Sequence, residues 1–137
     1  MKGVIVILFS TFMAIPLVSN GQGDTDVLLI KLNKIYKENR VLGKNRLRRN
    51  YNEIFLNKLD KTIDMGDYIV PLNGCKAQYK NLQDYHVVEF ICLDSDCIFS
   101  QNPNKYQKSI GFVLLTKKAC YDYINLIAEI KQALVQN

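Results

Sequence analysis

The sequence predicts an α+β fold: an N-terminal amphipathic helix, about seven antiparallel strands forming a barrel or curved sheet, and a C-terminal helix that caps them. Three observations carry this. Two segments, Asp24 to Asn39 and Lys117 to about Val135, repeat their apolar residues at helical spacing. Between them, from Tyr51 onward, the chain breaks into short runs separated by turn residues, the pattern of a β-rich body. Seven short strands with an apolar face need a covering layer, which the last helix can supply.

The chain opens on Met1-Lys2, a positive start, followed by the almost wholly apolar Val4 to Val18 and then Ser19-Asn20-Gly21, small residues suited to a cleavage site before Gln22. This predicts a secretory signal peptide over residues 1–21. The apolar run is shorter than the roughly 20 residues that a spanning helix needs, and Pro16 sits near its end. Cleavage would take Lys2 away and lower the formal net charge of +5 by one. The remainder is one domain's worth of chain, long enough to build a core without disulfides. Residues 22–50 divide into the first helix and a basic linker, and residues 51–137 form the β-rich domain with its C-terminal helix. The expected location is outside the cytoplasm, periplasmic or extracellular.

In the first helix Leu28, Leu32, Ile35 and Tyr36 line one stripe, with Lys31, Lys34, Lys37 and Glu38 largely off it. Asp24 or Thr25 is the expected cap, and an acid there suits the positive end of the helix dipole. The linker that follows gathers Lys37, Arg40, Lys44, Arg46, Arg48 and Arg49 against the single acid Glu38. Such a cluster could meet anionic lipid or lipopolysaccharide. Its plainer reading is a solvated linker around Gly43. No nucleic-acid motif or aromatic interleaving accompanies it, so nucleic acid is not an expected partner.

The predicted strands are Asn52 to Asn57, Thr62 to Met65, Asp67 to Leu72, Cys75 to Lys80, Tyr85 to Cys92, Cys97 to Ser100 and Ser109 to Leu115. Pro71 cannot donate to a ladder, so its strand lies at an edge or ends there. Gln101 to Lys108, QNPNKYQK, reads as a polar connecting loop. In Tyr85 to Cys92 the residues Val88, Phe90 and Cys92 share one face, while Val87, Glu89 and Ile91 share the other, which Glu89 marks as wetter. Thr116 is the expected cap of the last helix. Cys120, Tyr123, Ile127, Ile130 and Leu134 form its stripe, at spacings of three and four.

The four cysteines all lie beyond the predicted leader, and an even count in an exported chain favours two bridges among three pairings. Leu93 to Asp96 reads as a hairpin loop that sets Cys92 opposite Cys97, within bridging range. With residues 80 and 85 opposed in the preceding hairpin, Cys75 would fall opposite Phe90, on the face turned toward the last helix and Cys120. The expected pairs are Cys92 with Cys97 and Cys75 with Cys120.

Nothing points to catalysis. The one histidine, His86, starts the central strand on the face of Val88 and Phe90, with no nucleophile placed beside it by the sequence. No G-x-S-x-G, H-E-x-x-H or phosphate-binding glycine loop is present. C-x₄-C with no second close pair is a poor zinc pattern, and Asp94 with Asp96 is too small a set for calcium. No metal or cofactor is expected.

DYIVPLNGCKAQY, then YHVVEFICLDSDCIF, then GFVLL running into the last helix, resembles small uncharacterised secreted and envelope proteins of Bacteroidetes-type bacteria. In these, a V-x-F-x-C strand, a short loop and C-I precede a C-terminal helix. The resemblance spans about Asn52 to Leu134. It implies a pleckstrin-homology-like fold and no activity. The expected function is a non-catalytic binding or interaction domain of the envelope, meeting a protein partner. The alternative is a peripheral binder of anionic lipid through Lys37 to Arg49.

Overall fold

The computed structural model describes residues 21–41, 53–101 and 103–136. Helix α1 spans Gly21–Asn39 and helix α2 spans Lys117–Val135. Between them run β1 (Phe55–Asn57), β2 (Thr62–Asp64), β3 (Tyr68–Pro71), β4 (Cys75–Leu82), β5 (Tyr85–Cys92), β6 (Ile98–Gln101), β7 (Asn104–Gln107) and β8 (Ser109–Leu114). The α+β class holds. The strands do not close into a barrel: they make a five-stranded sheet, β1-β2-β3-β6-β7, and a three-stranded sheet, β4-β5-β8, with every pairing antiparallel.

Alternation decides which face of the three-stranded sheet is covered. Val88, Phe90 and Cys92 of β5 stand beside Ile110, Phe112 and Leu114 of β8, and all are buried. The two helices supply the other half of this core. Leu32 and Tyr36 of α1 and Tyr123, Ile127 and Ile130 of α2 are buried in it. Phe112 is the meeting point, edge-on to Tyr36 at 5.5 Å and to Tyr123 at 5.0 Å between ring centroids. The stripe read from α2 is buried throughout, and Thr116 Oγ1 caps it by accepting the Ala119 N–H at 3.0 Å. The chain leaving α1 seals the outer edge of β8, where Leu115 N–H donates to the Asn39 carbonyl at 2.8 Å and Arg40 bridges Leu114.

Several expectations are corrected. Helix α1 begins at Gly21, so Asp24 sits inside its first turn and Thr25 is buried; neither is the cap. Asp24 still lies where the helix dipole favours an acid. QNPNKYQK is not a loop: Asn104–Gln107 is β7, paired with β6 from Ile98↔Gln107 to Gln101↔Asn104. The strand is almost entirely exposed, so it carries no apolar alternation to betray it. Pro71 closes β3, as its missing N–H requires. The first predicted strand is shorter than expected, with Glu53 and Ile54 outside it and Asn52 outside the described residues.

The largest correction concerns β5 and β6. They do not form a hairpin: β5 pairs with β4 and β8, whereas β6 pairs with β3 and β7. Leu93 to Asp96 is therefore a corner that carries the chain from one sheet to the other. Backbone bonds pin this corner, with Cys92 N–H on the Lys108 carbonyl at 2.8 Å and Leu93 N–H on the Gly74 carbonyl at 2.9 Å.

Candidate functional site

The corner between the sheets brings three of the four cysteines together. Cys92 ends β5, Cys97 precedes β6, and a disulfide joins them, with Cα atoms 5.8 Å apart. Cys75 begins β4. The β4–β5 turn is two residues rather than four, Leu82 facing Tyr85, so Cys75 faces Cys92 and not Phe90. The slip from the expected register is two places, which keeps Cys75 on the same face of the sheet. Its Sγ lies 3.3 Å from Cys97 Sγ, and the three sulfurs all fall within 4.8 Å of one another.

The expected bridge between Cys75 and Cys120 is not formed; both are buried free thiols. The register explains this, because Cys75 is turned into the corner with Cys92 and Cys97. Cys120, in the first turns of α2, has a backbone hydrogen bond with Leu114. Burial pushes both thiols up to about 11, since a thiolate there would lose its hydration. For Cys75 the Lys131 ammonium acts in the opposite direction. Lys131 reaches across from α2 and donates to the Cys75 carbonyl at 2.6 Å; burial in turn lowers its own pKa. Among the described residues, these three cysteines are the one group with metal-ligand potential, and with two of them in a disulfide only Cys75 has a thiol to offer. Asp94 and Asp96 belong to no such group.

On the outer face of the three-stranded sheet lies a second feature, a cleft of about 300 Å³ between that sheet and Tyr68 and Gln107 of the other. Val87 and Glu89 form its floor, with Lys80, Leu82 and Val113 around them. Gly111 keeps this floor open: a Cβ there would stand 3.0 Å from Val87 Cγ1. Glu89 is held in place, its Oε1 accepting from Gln78 Nε2 at 2.9 Å and its Oε2 3.7 Å from Lys80 Nζ. Its side chain is only 14% exposed, so the wetter face read from Glu89 is in fact a half-sheltered one.

His86 is half-buried at the start of β5. Its Nδ1 lies 2.8 Å from the Tyr79 hydroxyl, and Tyr79 stacks in turn on Tyr121 at 5.2 Å, with Lys117 Nζ over both tyrosine rings. Of the basic segment, Lys37 is exposed at the end of α1 and Arg40 is half-buried beside β8. Lys44, Arg46, Arg48 and Arg49 lie outside the described residues, as does the predicted leader up to residue 20.

Sequence reading missed the triple cysteine corner and the cleft for one reason. Both depend on the β4–β5 register and on β5 and β6 parting company, and the Gln83-Asp84 turn has no glycine or asparagine to announce a two-residue connection. No helix among the described residues is long and apolar enough to cross a membrane. No family model, curated protein or solved structure matches the chain.

Proposed function

We propose that this protein is an exported, non-catalytic interaction domain of the bacterial envelope that holds a segment of a protein partner in the cleft on the outer face of β4-β5-β8. The cleft is the observation that carries this reading. A sheet with one face on the core ordinarily gives its other face to water and lines it with polar side chains. Here Leu82 and Tyr85, facing each other across β4 and β5, are 46% and 38% exposed next to the half-buried Val113, and adjoining apolar side chains of this kind offer a contact surface. The fixed Glu89 carboxylate would accept from a donor on the partner, which sets the partner's orientation. Export is supported by the Cys92–Cys97 disulfide, which persists only where the medium is oxidising. Assignment to a bacterial envelope rests on the resemblance of Asn52 to Leu134 alone.

A photo-crosslinking residue at position 82, compared with one at the 91% exposed Leu59 in the β1–β2 turn, tests the cleft in cells that make the protein. A discrete adduct with one envelope protein from position 82 and none from 59 is expected. Val113→Asp should abolish the adduct without changing the unfolding midpoint by more than a few degrees. Equal adducts from both positions, or none from 82, would dispose of the cleft as the contact site.

A further inference from the structure

We propose that Cys75, Cys92 and Cys97 form an internal thiol–disulfide exchange site, in which Cys75 attacks Cys97 and displaces Cys92. The products are a Cys75–Cys97 disulfide and a free Cys92 thiol. The step balances within the chain. Cys75 gives up its proton, its Sγ bonds to Cys97 Sγ, the Cys92–Cys97 bond breaks, and the electron pair leaves on Cys92 Sγ, which takes up a proton. One disulfide is lost and one gained, so no oxidant or reductant is consumed.

Three placements carry this. The nucleophile is beside its target: Cys75 Sγ stands 3.3 Å from Cys97 Sγ, and since the three sulfurs all lie within 4.8 Å of one another it approaches from the side, so a side-chain rotation must bring it into line with the Cys92–Cys97 bond before attack. The leaving sulfur is already solvated by the protein. Cys97 N–H points at Cys92 Sγ from 3.0 Å, a donor for the thiolate as it forms, and the Gln107 carbonyl lies 3.5 Å away to accept from the thiol that follows. A cation is also in position, since Lys131 from α2 is bonded to the Cys75 carbonyl. Cys120 has none of these neighbours and stands outside the group.

Burial holds Cys75 as the thiol, against the Lys131 charge, so exchange is slow at neutral pH and governed by thiolate supply. Around the reacting sulfurs the charged and titratable groups are Lys131 on α2, Lys76 next to Cys75 on β4, the exposed carboxylates of Asp94 and Asp96 in the corner itself, and Lys108, whose ammonium is bonded to the Asp94 carbonyl. The exchange moves the cross-link from the corner between the sheets to the start of edge strand β4, beside an apolar groove of about 240 Å³ lined by Leu93, Ile124, Ile127 and Ala128. The molecule thus has two covalent isomers that differ in which strand is tethered.

Peptide mapping of the full-length exported protein distinguishes them. Trypsin leaves Cys75 in residues 62–76 and both other corner cysteines in residues 81–105, so exchange alone joins the two peptides. After incubation without reductant at pH 7, 8 and 9, followed by alkylation in denaturant, the joined peptide with a labelled Cys92 is expected. Its rate of appearance should rise about tenfold per pH unit and be independent of protein concentration. Cys75→Ser should abolish it, and Cys120→Ser should leave it unchanged. Cys92→Ser should be isolated with Cys75 joined to Cys97. A native protein whose Cys92 stays unlabelled after prolonged incubation at pH 9 overturns the proposal, whatever the variants do, and so does a concentration-dependent rate.

Discussion

The two sheets feed one core but are held together differently. In the three-stranded sheet, β4 and β5 pair over eight consecutive positions, and one face is pressed under two helices through Tyr36, Phe112 and Tyr123. The five-stranded sheet has strands of three or four residues, and β3 meets β6 over just two positions. Polar ties at its turns and margins do what long ladders do elsewhere. Asn57 Oδ1 accepts from Leu59 and Asp60 N–H, Asp64 Oδ1 accepts from Gly66 N–H, and Asn33 of α1 makes both amide bonds to the backbone of Ile54. The first sheet combines long ladders with rings from both helices, whereas the second sends Ile63, Val70 and Ile98 into the same core from short strands and adds local capping at their ends.

This difference predicts unequal responses to the loss of an aromatic ring. Phe112→Ala empties the point where rings from both helices converge and should cost about 3–5 kcal/mol, enough to unfold a marginal domain. Phe99→Ala, which removes a half-exposed ring packed on the exposed Tyr106 of β7, should cost about 1 kcal/mol. Urea unfolding of the two variants measures both. Comparable losses would mean that the five-stranded sheet depends on side-chain packing as much as its neighbour does.

The same division explains what could be read in advance. Both helices were legible because their apolar residues recur at spacings that only a helix brings to one face, and the Thr116 cap sits where that period starts. The long strands were legible by alternation. Asn104–Gln107 was not, because an edge strand held by backbone bonds to β6 has no need of apolar residues. The cysteine corner was half legible. The Cys92–Cys97 pair was reached through a hairpin that the chain does not form, the neighbour of Cys75 depends on where β4 turns into β5, and sheet membership of β6 depends on contacts with β3, distant in sequence.

The corner that joins the sheets supplies the next effect. Closing the short Cys92–Cys97 loop stabilises by about 2 kcal/mol on the chain-entropy estimate. If Cys75 can replace Cys92, then Cys92→Ser keeps a bridge and loses little, whereas Cys97→Ser removes the partner common to both bridges. Cys97→Ser should therefore be less stable than Cys92→Ser by about 2 kcal/mol or more, in chemical unfolding without reductant. Equal stabilities would leave the two sheets tethered by one fixed cross-link.

Buried thiols on the helix-covered side set the pH response. Cys75 and Cys120 are raised from 9.0 to about 11, so between those values the unfolded chain has released protons that the folded chain retains. Stability from this source is complete below about pH 9 and falls as pH rises toward 11. Lys131, whose pKa burial lowers, works in the opposite sense, because its folded form sheds a proton first. Two units correspond to at most roughly 2.7 kcal/mol per thiol. Cys120→Ala removes one thiol without touching the corner, so its unfolding free energy should fall less steeply between pH 9 and 11 than that of the native protein. Parallel slopes would show that Cys120 contributes nothing to the alkaline loss.

The smallest effect expected lies at the exposed tip of the three-stranded sheet. The β4–β5 turn puts Gln83 at φ 56°, a left-handed conformation in which an L side chain crowds its own backbone. Glycine adopts it without that crowding but has more freedom to lose from the unfolded chain, and the two effects oppose. Gln83 is exposed, so its replacement removes no packing. Gln83→Gly should therefore stabilise by about 0.5 kcal/mol, the strain relieved slightly outweighing the entropy lost. Asn tolerates the left-handed region with less entropy to lose, so Gln83→Asn should match or exceed it. Neither change should alter the rate of labelling at Cys92, because the turn lies at the opposite end of β4 and β5 from the cysteines. Destabilisation by both variants would mean that the Gln83 side chain stabilises the turn by more than its backbone strain costs.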